Sequence, residues 1–255
     1  MTVTHFNKFM LPISILAVSI ALYAASGQKP ATEIGKVINY RGTEYTVFTA
    51  DPAKHKITLH WKNADGLLYS SIGNLLKTNN DQKIVMVTNA GMYTPMQAPV
   101  GLYIEKGVEM VSLNTNNCDG NFCLKPNGVF YTDKSGPHVT ASENFENETV
   151  NKQVNYATQS GPMLVIDGKL HPAFNAVSTS LYIRSGVGID STGKAVFAIS
   201  NQPVNFHTFA TLFKDVFGCK NALYLDGAIS LMYLPKIKDD RGGKFGPMIS
   251  VSELP

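Results

Sequence analysis

The sequence predicts an α+β protein whose core is a strand-rich sheet assembly, mixed or antiparallel in its pairing, with a few helices. Three observations point there. Short apolar segments with period-two alternation recur between turns containing Gly, Asn or Asp. One stretch alone has convincing helical spacing over more than two turns. No internal repeat or low-complexity linker divides residues 35–255, which therefore read as one domain.

The elements follow in chain order. Residues 44–50 (EYTVFTA) and 56–61 (KITLHW) alternate as strands around Asp51-Pro52-Ala53-Lys54, and together predict a β-hairpin. Residues 71–77 (SIGNLLK) predict a short helix, and residues 83–88 (KIVMVT) a buried strand running into Asn89-Ala90-Gly91-Met92-Tyr93. Further strands are expected at 100–105, 108–113, 128–132, 163–166, 181–183 and 195–200, with hairpin turns at Asp167-Gly168 and Ser191-Thr192-Gly193-Lys194. Asn205 suits the N-cap of a helix carrying Phe206, Phe209, Ala210, Phe213 and Phe217 along one face, and Gly218 stops it. That aromatic stripe is core packing. Residues 222–225 (ALYL) predict a buried strand that ends abruptly in Asp226-Gly227.

Composition excludes several function classes. The 255 residues are 44% hydrophobic and 16% charged, with 22 Lys+Arg against 19 Asp+Glu for a net charge of +3. Disorder needs low hydrophobicity with high net charge, and the dense Lys/Arg stripe that binds a phosphate backbone is missing, so no nucleic-acid partner is expected. At the N-terminus a polar segment with Lys8 precedes an apolar run over residues 9–25 and the small residues Ala24-Ala25-Ser26. Residues 1–26 thus have the form of a signal peptide, cleaved near Ser26 or kept as a membrane anchor. Either outcome places the domain outside the cytoplasm, periplasmic or secreted, with membrane contact through that segment alone. Cys118 and Cys123 are close enough for a small-loop disulfide in an oxidising compartment, the alternative being buried thiols. Cys219, after Gly218 and before an apolar strand, reads as a core residue. No Cys or His spacing matches a zinc site.

Chemistry is expected where apolar strands end in polar residues beside small ones. Five segments do this: Asn89-Ala90-Gly91-Met92-Tyr93, Lys125-Pro126-Asn127-Gly128, Thr158-Gln159-Ser160-Gly161-Pro162, Arg184-Ser185-Gly186-Val187-Gly188 and Asp226-Gly227-Ala228-Ile229-Ser230. Each also reads as a glycine-containing turn. In combination an Arg, an Asp, a Gln and an Asn suit an anionic, hydroxyl-rich ligand, because guanidinium forks onto phosphate oxygens while amides and carboxylates bind hydroxyls. Ser160 lies in Gln-Ser-Gly-Pro rather than a nucleophile elbow, and neither His171 nor His207 is tied to a serine, so a serine hydrolase is disfavoured.

Six of the chain's motifs, in order, resemble the phosphodiester glycosidase domain family, its bacterial branch in particular. They are NAGMY (89–93), PVGLYIEKG (99–107), GNFCLKPNGVFY (120–131), TQSGPMLVIDGKLHP (158–172), YIRSGVGID (182–190) and ALYLDGAISLMY (222–233). The resemblance spans about residues 80 to 235. It departs at Ala90 and Ala228, which stand in motifs of Asn-Gly-Gly and Asp-Gly-Gly type; both changes keep the residue small, although Ala resists a positive φ. What the resemblance implies is an α+β fold with a cleft lined by these motifs, and hydrolysis of a bond between an anomeric carbon and a phosphodiester. Glycoside hydrolysis normally uses two carboxylates, and the motifs supply Asp226 alone. A departing phosphate is already a stable anion, so Asp226 is expected as base or nucleophile with Arg184 stabilising the leaving group. Asn89, Gly91, Tyr93, Gln159, Ser160, Gly161, Gly227 and Ser230 are the expected substrate-binding positions. No cofactor is required, although Asp226 with neighbouring carbonyls could hold Ca²⁺ or Mg²⁺. The expected partner is a phosphorylated carbohydrate or nucleotide sugar from an envelope or extracellular glycan, and a non-catalytic binding module for such a ligand is the alternative.

Overall fold

The computed structural model describes residues 35–226, 229–236 and 243–255. The expected signal segment, residues 1–26, lies outside them, as do Gly227 and Ala228. In chain order, β1 (Lys36–Tyr40), β2 (Thr43–Ala50) and β3 (His55–His60) lead to α1 (Ile72–Thr78) and β4 (Ile84–Asn89). Next come β5 (Tyr103–Glu105), β6 (Val108–Val111), β7 (Gly128–Asp133), β8 (Gly136–Ala141) and α2 (Ser142–Thr149). β9 (Tyr156–Ser160), β10 (Met163–Ile166), β11 (Lys169–Leu170), β12 (Ser185–Ile189) and β13 (Ala195–Ser200) precede α3 (Phe206–Thr211). The described chain closes with β14 (Asn221–Asp226), β15 (Met232–Tyr233) and β16 (Met248–Glu253).

These strands form three sheets, ordered β1-β2-β13-β12-β14-β10-β11, β15-β4-β16-β3 and β6-β5-β9-β7-β8. Every strand pairing among the described residues is antiparallel. The inner faces meet in one core, where Phe48, Phe197 and Leu223 of the first sheet pack with Leu59, Met86 and Val251 of the second and Phe130 of the third. Each sheet carries one helix on its other face. Phe209 of α3 and Phe213 just after it pack on Tyr45, Leu164 and Tyr224; Ile72 and Leu75 of α1 on Val87 and Met248; Phe145 of α2 on Val129 and Tyr131. Fully burying an aromatic such as Phe209 stabilises the fold by about 1.5–3 kcal/mol.

Local sequence explains the helix ends. Ser71 caps α1 by accepting a hydrogen bond from Asn74 N at 3.1 Å, and Asn205 caps α3 through Thr208 N at 2.8 Å. α3 runs on into a π-helical turn, Leu212–Val216, before Gly218 takes a φ of 62° and ends it.

Two sequence expectations are corrected here. β2 and β3 do not pair as a hairpin: β2 lies between β1 and β13, while β3 pairs with β16 in another sheet. Both edges of β2 are taken, and the Asp51 carbonyl accepts from Lys54 N and His55 N, closing a turn that sends the chain across layers instead of back along the sheet. The strand expected at 181–183 is a single bridge, Tyr182 with Val204, and the true strand is β12, starting three residues after Tyr182 in what reads as a glycine turn. Its glycines serve packing. A Cβ on Gly186 would come 2.9 Å from Leu223 O, and one on Gly188 would come 2.7 Å from Cys219 Sγ and 2.8 Å from Phe213 Cδ1. Only a strand without side chains at these positions lets α3 and β14 approach it so closely.

Candidate functional site at the convergent strand ends

The last residues of β4, β9 and β14 and the first of β12 come together, so all three sheets contribute to one polar cluster. Asn89, fully buried, donates from Nδ2 to Ser185 Oγ at 2.9 Å. Ser185 Oγ in turn donates to the Asp226 carbonyl at 3.1 Å and accepts from Asp226 N at 3.3 Å. Ser230 donates to the same carbonyl at 2.6 Å, and Ser160 to the Leu225 carbonyl at 2.7 Å. The end of β14 is thus gripped from three directions by short side chains that hold the Asp226 backbone in place. A register shift between Ser185 and Gly186 marks the same spot on β12, and such bulges re-aim side chains at strand ends.

Glycines allow the close approach. Gly91 N donates to Thr158 Oγ1 at 3.0 Å, and a Cβ there would collide with the Gln159 carbonyl. At Gly161 a Cβ would lie 2.6 Å from Asn127 Cβ. Tyr93 packs over Gly246 and donates from its hydroxyl to the Lys244 carbonyl at 3.1 Å. Burial raises the Tyr93 pKa, and the negative charge of Asp226 raises it further, so the Tyr93 phenol stands within the field of that carboxylate.

Arg184 and Gln159 behave differently. Arg184 is 1% exposed, with Nε donating to the Val204 carbonyl at 2.8 Å and Nη2 to the Ser180 carbonyl at 3.0 Å. Its guanidinium carbon sits 3.6 Å from the Phe206 ring centroid and 5.5 Å from those of Tyr182 and Tyr224. Nη1 is buried with no hydrogen-bond partner among the described residues. Burial lowers the Arg184 pKa, with Tyr224 acting in the opposite direction, but a guanidinium starts high enough to keep its charge. Burial likewise raises the Tyr224 pKa, which the charge of Arg184 lowers and that of Asp226 raises. Tyr224 therefore stands in the fields of both.

Gln159, also 1% exposed, has all its hydrogen-bonding capacity taken by the protein. Oε1 accepts from Leu102 N at 3.0 Å and Asn114 N at 2.9 Å, while Nε2 donates to the Asn114 carbonyl at 2.8 Å and Ser142 Oγ at 2.9 Å. It braces the segment before β5 and the one after β6.

Of the residues singled out in the sequence, Asn89, Ser160, Asp226 and Ser230 share the cluster, Gly91 and Gly161 line its approaches, and Tyr93 and Arg184 flank it. Gly227 lies outside the described residues. The hub that sequence reasoning passed over is Ser185, whose sole signal is a hydroxyl between Arg184 and a strand of alternating glycines. Among the described residues no three His, Cys, Asp or Glu side chains gather as a metal site, and no helix is long and apolar enough to cross a membrane. Cys118 and Cys123 are joined in a disulfide, and Cys219 is a buried thiol whose pKa burial pushes up to about 12.

The fold and site together are those of an antiparallel three-sheet body with a polar cluster at its convergent strand ends. The family model for phosphodiester glycosidase matches residues 82–245, which carry every part of the cluster. An uncharacterised Escherichia coli (strain K12) protein, YigE, is 37% identical over 188 residues, covering 73% of each chain. The chain belongs to the phosphodiester glycosidase family. Among solved structures, the zebrafish N-acetylglucosamine-1-phosphodiester alpha-N-acetylglucosaminidase catalytic domain, auto-inhibited by its pro-peptide, aligns with a TM-score of 0.55 at 16% identity, over 86% of this chain and 82% of that one. A hypothetical protein from Synechocystis aligns with a TM-score of 0.52 at 13% identity, over 86% of this chain and 61% of that one. At such identities the likeness is one of fold.

Proposed function

We propose that the protein is an exported hydrolase of sugar-1-phosphodiesters in an envelope or extracellular glycan. The observation that carries this reading is the pairing of Ser185 with Asp226, which brings the residue after Arg184 against the end of β14, while the buried Arg184 guanidinium, with Nη1 to spare, lies 5.5 Å from the ring of Tyr224, two residues before Asp226. Leaving a buried donor such as Nη1 unpaired costs roughly 1–3 kcal/mol, part of which contact with aromatic faces offsets. A phosphate oxygen on Nη1 recovers that cost. Asp226 then either accepts a proton from attacking water or attacks the anomeric carbon itself. The bond from that carbon to the phosphate oxygen breaks, and the phosphomonoester departs with the electron pair toward Arg184. In the direct route the water oxygen ends on the sugar; in the covalent route a water then cleaves the bond between the anomeric carbon and Asp226, its oxygen again ending on the sugar and the carboxylate being regenerated. Asn89, Ser160 and Ser230 serve the sugar hydroxyls in this reading, while Gly91, Gly161 and Tyr93 shape the surroundings and Gln159 braces them.

The reaction uses no cofactor. The apolar run over residues 9–25 and the Cys118–Cys123 disulfide both favour an oxidising, extracytoplasmic compartment.

The test follows sugar release from a panel of α- and β-linked sugar-1-phosphodiesters, nucleotide sugars included. Asp226→Asn should lower turnover by about 10²–10⁴-fold with the melting temperature retained. Ligand-induced thermal stabilisation without any release would replace hydrolysis with a binding module, and neither signal would sink both.

A further inference from the structure

The outer face of β3 carries a cavity of about 530 Å³ that none of the strand-end motifs lines. Along β3, Ile57 and Leu59 turn into the core while Thr58 and His60 face outward and form the cavity floor with Tyr69 and Tyr156, all four buried. Lys56 and Lys62 continue the outward row at its two ends, and Lys106 reaches in from the β5–β6 turn. One carboxylate lines the cavity, that of Glu105, and it is already engaged by the Tyr103 hydroxyl at 2.9 Å and by Lys106 Nζ at 3.9 Å. Three ammonium groups against one carboxylate leave two positive charges in excess around a partly open, polar-floored space. Burial, and after it the charges of Lys106 and Lys56, lower the His60 pKa to about 4, so the positive field reaches the floor. The volume falls in the range of small-molecule sites, and on the wall Gln82, whose Nε2 donates to Asn79 Oδ1 at 3.3 Å, has an amide oxygen suited to a hydroxyl group.

We propose that this cavity binds a small polar oxyanion, a phosphate monoester or carboxylate on a saccharide-sized scaffold. It is separate from the hydrolytic site. His60 and Asn89 each pair with Met248, which sets two strand spacings between them, and Tyr69, Ile72 and Leu75 of the α1 region pack over Met248.

The experiment uses glucose 6-phosphate and glucuronate as probes, with glucose as the neutral control, and follows the His60 ring resonances by NMR through a pH titration. The groups facing His60 are Lys56 and Lys62 around β3, Glu105 and Lys106 from the β5–β6 hairpin, Tyr69 ahead of α1 and Tyr156 on β9. Either acid should bind and move the His60 pKa upward, because an anion partly cancels the lysine field, whereas glucose should leave it in place. Lys56→Gln/Lys62→Gln/Lys106→Gln removes three exposed, mutually repelling charges and should fold. It should raise the His60 pKa without ligand and weaken binding about tenfold or more. Asp226→Asn should retain the binding, which separates this result from the fate of the proposed hydrolysis. No binding by either acid, binding that leaves His60 unmoved, or affinity unchanged in the triple variant would each overturn the proposal. Response to one acid and not the other identifies the anion while upholding the site.

Discussion

Gln159 and Arg184 are two long polar side chains, each 1% exposed and each at the end of a strand that feeds the polar cluster. Gln159 meets four protein partners. Arg184 meets two backbone carbonyls and a set of aromatic faces, and one of its nitrogens is left over. Burial is the same in the two regions, whereas satisfaction differs. A saturated buried amide can only brace the structure around it, while a buried cation with a spare donor holds free energy that an anion can release. Gln159 is therefore scaffold, whereas Arg184 is the residue that the proposed function makes the receptor.

The sharpest way to break this comparison is to remove the brace. Gln159→Leu keeps the approximate volume but leaves Leu102 N, Asn114 N, the Asn114 carbonyl and Ser142 Oγ without their partner. With roughly 1–3 kcal/mol lost per buried group, and water reaching some of them, unfolding in urea should show a loss of about 4 kcal/mol. Ligand affinity of the molecules that remain folded should stay near wild type. A loss below about 1 kcal/mol would mean that Gln159 is no brace.

A third buried polar side chain, His60, is held in its neutral state by its surroundings. Its Nε2 lies 2.8 Å from Ser250 Oγ, and burial, then Lys106 and Lys56, hold its pKa at about 4 against an ordinary value of 6.5. Between those values the unfolded chain binds the proton and the folded one does not, so stability contributed by this site is complete above about pH 6.5 and falls as pH drops toward 4. The expected loss is about 3 kcal/mol. Urea midpoints across that window should show it, and His60→Gln should flatten the slope. Asp133 acts in the same sense at lower pH. Burial opposes its ionisation, but hydrogen bonds from Ser135 and His138 bring its pKa to about 2, and that contribution disappears as pH falls below 3.8.

What the sequence revealed and what it hid follows from how far each signal reaches. Asn205 was legible as a helix cap because a cap is settled within four residues, and the helix expected from Ser71 starts one residue later with Ser71 as its cap. The Phe206–Phe217 stripe, Ala195–Ser200 and the strand into Asp226 were legible from period alone. Gly186 and Gly188 were misleading, since a turn and a close helix approach ask for the same residue, and the helix that makes the demand is some twenty residues away in the chain. β9 was hidden for a related reason. Tyr156, Thr158 and Ser160 look like an exposed polar row, yet every residue of that strand is buried between sheets. β16, with Ile249 and Val251 alternating against serines, has a readable period that was not used. At the site, Asn89, Ser160, Asp226 and Ser230 could be named from residue type and motif order, but the separate characters of Gln159 and Arg184 depend on which atoms are spare. That is fixed by partners from distant segments.

The smallest expected effect completes the comparison. Arg184→Met retains a long apolar stem against Phe206 and Tyr224 while removing a buried charge that forms no ion pair with a carboxylate of the described residues. Losing hydrogen bonds to the Val204 and Ser180 carbonyls destabilises the fold, whereas relieving the desolvated cation and its spare donor acts the other way. The two nearly cancel, and the change in unfolding free energy should be within about 1 kcal/mol of zero, far less than for Gln159→Leu. The same variant should lose sugar release by about 10²–10³-fold, the cost of removing a donor aimed at a departing oxyanion. A destabilisation as large as that of Gln159→Leu would mean that Arg184 is a brace as well, and the distinction between scaffold and receptor would then have to rest on Asp226 alone.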